Sequence, residues 1–234
     1  MPDLFKGGSL EMSPVPVAGQ GAELLWVDCM VNRIAVLSAL ILFVIELVDL
    51  FRLYPSLWRC VLFWKGNLEL EHSVSLARTR NTVSLVMAVF LCIIADRWQL
   101  IAPSFKMELE QEWHLAVCTM VIAGYILVRR IAYLVSRFRS LTNEYDCTLR
   151  HSMYNYQILL TSLMLVTALP LTAFGVSDAA VRIVLLAEFA ALTLLHLIRT
   201  SQILSSRFAF LATILYLCAL EMLPLGILIL VCTL

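Results

Sequence analysis

Seven ionisable residues lie where ionisable residues are expensive. Glu46, Asp49, Asp96, Arg97, Glu188, His196 and Glu221 each sit inside or at the edge of a long apolar run. Glu221 is the most isolated: from Phe208 to Leu234 there are 27 residues and one charge, with Pro224 three residues beyond it. At about 1.5 Å per residue such a helix outspans a bilayer core of roughly 30 Å, which puts the carboxyl near the membrane centre. A charge at that depth costs on the order of 2.5–3.5 kcal/mol on insertion scales. Two chemistries would offset it. Acids and bases at one depth can neutralise each other inside a bundle, or Glu188, Glu221 and His196 can form a proton or ion path.

Enzyme chemistry finds no comparable set. The chain has no His-Glu-x-x-His, no Gly-x-Ser-x-Gly, no Asp-x-x-Asp and no Gly-rich phosphate loop. Of the histidines His72, His114, His151 and His196, only His196 is well inside an apolar run, so a bis-His haem lacks a second axial donor at matched depth. No catalytic residue, metal or cofactor is therefore assigned. A lipid-directed chemistry at one membrane face would need His72, His151 and Arg150 to converge. The seven cysteines (29, 60, 92, 118, 147, 218 and 232) include no Cys-x-x-Cys and mostly lie in apolar runs. They read as small buried hydrophobes, not as metal ligands or disulfides.

The elements that must hold these residues are helices. The chain is 61% hydrophobic and 15% charged, with mean hydropathy +0.88; soluble domains are nearer one half and one quarter. The reading is an all-α, polytopic transmembrane bundle of about six spans, near 27–51, 81–101, 113–135, 157–176, 180–197 and 209–233. Residues 1–22, rich in Gly, Pro and Ser, read as a flexible tail, and 23–234 as one transmembrane domain. Tyr54–Lys65, with Trp58, Trp64, Arg59 and Lys65, has the composition of an interfacial helix. The uncharged part of the second span, 81–95, is too short to cross. It is expected to extend forward to Ile101, with Arg97 snorkelling, and to end at Pro103. Pro170 predicts a kink in the fourth span, and Gly175-Val-Ser-Asp178 a tight turn after it.

Charge sets the orientation. With the tail outside, 12 of the 17 basic residues face the cytoplasm and 5 the exterior. The positive-inside rule favours that arrangement, with both termini periplasmic in a bacterial inner membrane. Glu46, Asp49, Arg129, Arg130 and His196 then lie in the cytoplasmic third, and Asp96, Arg97 and Glu188 in the outer third. The expected pairs are Glu46 or Asp49 with Arg129 or Arg130, and Glu188 with Arg97. Glu221 is left at the midplane with no basic residue at its level. It reads as a protonated carboxyl, hydrogen-bonded within the bundle near Tyr216 and beside a Pro224 kink. Equal numbers of acids and bases (17 each) argue against a nucleic-acid partner. The partners implied are the lipid bilayer and either a membrane protein or a second copy.

The ending Ile214-Leu-Tyr-Leu-Cys-Ala-Leu-Glu-Met-Leu-Pro-Leu225 resembles the closing signature of a polytopic inner-membrane family of the Bacteroidota, a domain of unknown function. Phe51-Arg-Leu-Tyr-Pro55 and Tyr154-Asn-Tyr-Gln-Ile-Leu-Leu160 resemble it too, and the likeness runs from Trp26 to the end. It implies an integral cytoplasmic-membrane protein with no established catalytic residues, and it singles out Tyr216, Cys218, Glu221 and Pro224. The function expected is that of a non-enzymatic membrane subunit or scaffold of a cell-envelope complex. The alternatives are a small proton-coupled transporter or channel using its carboxylates, and a membrane enzyme acting on a lipid.

Overall fold

The computed structural model describes residues 26, 28–101, 109, 111–135, 143–206 and 208–233. The tail and Pro103 lie outside that set. The elements among the described residues are helices, in the order α1 (Met30–Leu62), α2 (Lys65–His72), α3 (Val74–Arg97), α4 (Gln111–Val135), α5 (Asn143–Ala173), α6 (Asp178–Ser205) and α7 (Phe210–Leu217). A π-helical turn, Cys218–Met222, and then α8, Leu223–Thr233, continue the line of α7. Six stretches are long and apolar enough to cross a membrane, α7 to α8 forming the sixth. The chain is a multi-pass helical membrane protein.

Two helices form the inside of the bundle. Half of the apolar window of α3 and of α5 is buried, against 11–17% for the other four, whose apolar residues face outward as lipid-facing helices must. The α5 helix packs against α3 and α6, and α1 lies along α3. Leu50, Leu53, Leu57, Leu70, Val83, Met87 and Ile158 fill the space among α1, α2, α3 and α5. Ile94, Leu160, Met164, Ala168, Val181 and Leu185 do the same among α3, α5 and α6. Two hydroxyls on buried α5 are satisfied within the helix: Thr161 and Ser162 donate to the carbonyls of Gln157 and Ile158 at 2.9 and 2.6 Å. The turn into α6 closes on Gly175 at φ 71°, and Val176 N–H reaches the Leu171 carbonyl at 3.0 Å.

Three expected boundaries move. Tyr54–Leu62 is no separate interfacial helix. It continues α1 through Pro55, and the separate short helix is Lys65–His72. The second span extends backward to Val74 and its helix stops at Arg97, with Trp98 capping it. The cause is Arg80, 1% exposed, whose charge is matched by Glu71 at 2.6 Å and whose Nε and Nη2 donate to Asn81 Oδ1. A matched charge does not end a buried helix as an unmatched one would. The sixth span breaks as a π-turn rather than a simple kink. Pro224 lacks the N–H that the Leu220 carbonyl would accept in an α-helix, and Leu223 N–H instead reaches back to the Cys218 carbonyl.

Candidate functional site

The π-turn aims Glu221 into the bundle, where it is 3% exposed. Arg129 of α4 grips it bidentately: Nη2 donates to Oε1 at 2.6 Å and Nε to Oε2 at 3.1 Å. Tyr133, one turn further along α4, donates to Oε1 at 2.7 Å, and its ring lies 5.0 Å from the Arg129 guanidinium carbon. His196 Nε2 of α6 lies 3.3 Å from Oε2. Nε2 also lies 3.4 Å from Arg129 Nη2, so it can accept from the guanidinium or donate to the carboxylate, and Nδ1 is buried without a partner. Glu221 thus takes three donated hydrogen bonds, two from Arg129 and one from Tyr133, and a bidentate guanidinium pair fits the ionised carboxylate. The expectation of a protonated, unpartnered Glu221 is corrected on both counts. The depth ranking had set Arg129 apart from it, and its partner tyrosine is Tyr133, whereas Tyr216 packs on Phe208.

The other sequence candidates are placed differently from the expected pairs. Arg97 meets Asp178 at 3.5 Å and not Glu188, and its guanidinium stacks by Trp26 and Trp98. Buried Asp96 accepts from Trp26 Nε1 at 2.8 Å. Glu188 accepts from Thr167 at 3.2 Å and does not join His196 and Glu221 in a path. Glu46 and Asp49 do not reach Arg129; Glu46 Oε2 is buried with no hydrogen bond. Cys218 is exposed and free, and Pro224 is buried.

Two cavities flank the ion-pair cluster. The first, about 510 Å³, opens among α3, α4 and α5 and is bordered by Asn81, Arg129, Arg130, Tyr133, Arg150, His151 and Tyr154, with no acid among the described residues that line it. The second, about 290 Å³, is apolar and runs among α3, α4, α5, α6 and α8, walled by residues such as Leu160, Met164 and Phe189, with His196 at one side. Ile126, Met153 and Gln157 line both. Of His72, His151 and Arg150, the chain neighbours Arg150 and His151 line this cavity and His72 does not.

A second polar cluster backs the basic cavity. Glu71 of α2 takes Arg80 Nη1 on Oε2 at 2.6 Å, and Oε1 faces His151 Nδ1 at 3.0 Å and Cys147 Sγ at 3.2 Å. Burial alone would raise the Glu71 pKa. The hydrogen bonds from His151 and Arg80 outweigh it and hold the carboxyl down at about 2. Cys147 departs from the reading of cysteines as passive hydrophobes, whereas Cys60, Cys92 and Cys118 are buried as expected. The one sequence signal for this cluster was the spacing of Cys147 and His151, four apart and so on one helix face. Arg129 and Tyr133 carried the same signal. Comparisons with protein-family models, curated proteins and solved structures give no match to this chain. The fold and the site define the class, a multi-pass helical membrane protein with an internal ion pair and a basic cavity.

Proposed function

We propose that this chain holds an anionic amphiphile, its phosphate or carboxylate headgroup in the basic cavity and its hydrocarbon in the apolar one. The supporting observation is that the two cavities adjoin, with Ile126, Met153 and Gln157 lining both. Arg129 is neutralised by Glu221, but Arg130 has no acidic partner among the described residues, and none of those lining the cavity is acidic. An apolar chamber beside a basic one matches a ligand with one end of each kind. The role fits a binding subunit of a cell-envelope complex better than a proton-coupled transporter, because the carboxylate that transport would use is held by two hydrogen bonds from Arg129 and one from Tyr133. In this reading the chain lies in the bacterial inner membrane, with the basic cavity at the cytoplasmic side and both termini periplasmic. It belongs with the Bacteroidota family that its closing segment resembles.

Arg130 at about 1 kcal/mol gives roughly a 5-fold preference for an anionic lipid. The test reconstitutes the protein in nanodiscs of equal phosphatidylglycerol and phosphatidylcholine, transfers it to mild detergent and weighs the retained lipid by native mass spectrometry. Wild type is expected to keep phosphatidylglycerol, and R130Q/R150Q to lose the preference. Equal retention of both lipids by wild type would overturn the proposal.

A further inference from the structure

Glu71, Cys147 and His151 stand together without serving the ion pair, and the arrangement has the dimensions of a metal site. Glu71 Oε1, Cys147 Sγ and His151 Nδ1 form a triangle with sides of 3.0, 3.2 and 3.6 Å. A tetrahedral zinc ion, with bonds of about 2.0–2.3 Å, separates such ligand atoms by about 3.3–3.6 Å. The triangle therefore needs to open by only a few tenths of an ångström. Helix α5 supplies two donors four residues apart on one face, and α2 supplies the third from another element, so the set is fixed by packing and not by one flexible loop.

We propose that these three residues bind a divalent transition-metal ion, zinc by the chemistry of the donors. One thiolate, one imidazole and one carboxylate are the mixture that zinc takes, and three protein ligands leave a fourth position for water or an anion. The surroundings orient the ligands. Arg80 holds Glu71 Oε2, which turns Oε1 toward the site, and the His151 ring stacks on Tyr154 with centroids 5.8 Å apart. In the metal-free protein the Cys147 S–H donates to Glu71 Oε1. On binding, the thiol proton leaves to solvent, the imidazole carries its proton on Nε2, and Nδ1 takes the ion. Thiolate, carboxylate and a doubly charged cation then sum to zero, which suits a half-buried position beside Arg80. The inference stands apart from the amphiphile reading because its test uses the metal alone.

The experiment takes the full chain in detergent, carrying a tag without histidines and stripped with chelator, and titrates it with Co²⁺ followed by Zn²⁺. The expected result is one ion per chain, visible d–d bands of tetrahedral intensity and a thiolate-to-cobalt charge-transfer band that Zn²⁺ abolishes. C147S should lose the charge-transfer band and H151N the stoichiometric binding. R80Q, which touches no metal, should weaken binding by on the order of 10–100-fold. Circular dichroism and gel filtration report which variants fold. Folded wild type with no charge-transfer band overturns the proposal, whatever the variants do, and so does a band that persists in folded C147S.

Discussion

Glu221 takes two hydrogen bonds from Arg129 and one from Tyr133, and that fact sets the behaviour expected of its neighbours. A buried guanidinium–carboxylate pair repays the desolvation of both ions only while both are present; removing one partner costs about 3–5 kcal/mol, whereas replacing both with apolar residues is often near neutral. R129L and E221L should therefore each unfold at markedly lower SDS fraction in mixed micelles, and R129M/E221L should recover most of the loss. Single variants as stable as wild type would mean that the pair is not what holds α4 to the π-turn. Hydropathy marked Glu221 as an expense, but the residue that offsets it was hidden. Arg129 adjoins Arg130 and so read as part of a cytoplasmic end. The pairing spans 92 residues and depends on how α4 and the π-turn pack.

At the scale of elements, membrane helices were legible wherever they were uniformly apolar, and their ends were not legible wherever a charge was matched. Arg80 inside α3 is the clearest instance, since its partner Glu71 sits in a different helix. The π-turn was equally hidden; Pro224 announced a break but not its kind. The α1–α2 corner depends on Gly66, where an added Cβ would stand 2.7 Å from the carbonyl carbon and oxygen of Arg59. Arg199 fastens the same corner, donating to the Val61 and Leu62 carbonyls at 2.7 and 2.9 Å, where a cation complements the helix dipole. G66A is expected to destabilise by about 1–3 kcal/mol, the usual penalty of overpacking, read as a lower thermal midpoint in detergent. An unchanged midpoint would show that the corner yields freely. The same corner carries Glu71, so G66A should also weaken the Co²⁺ titration.

At the scale of the molecule, class and number of spans followed from composition and run length, because a bilayer demands them. The cavities did not, since they exist only between helices whose faces the hydropathy pattern leaves unassigned. The orientation of the bundle, with both termini outside, is checked by fusing alkaline phosphatase or a cytoplasm-dependent fluorescent protein to the C-terminus; phosphatase activity is expected, and fluorescence would reverse the topology. The amphiphile in the adjoining cavities is tested most directly by the thermal midpoint of the detergent-purified chain with added phosphatidylglycerol or phosphatidylcholine. A ligand present at 100 times its Kd adds about 2.7 kcal/mol, which for a chain of this size is roughly 5–10 °C. The account predicts that rise with phosphatidylglycerol, none with phosphatidylcholine, and its loss in R130Q/R150Q; an equal rise with both lipids, or one that survives in R130Q/R150Q, would contradict it.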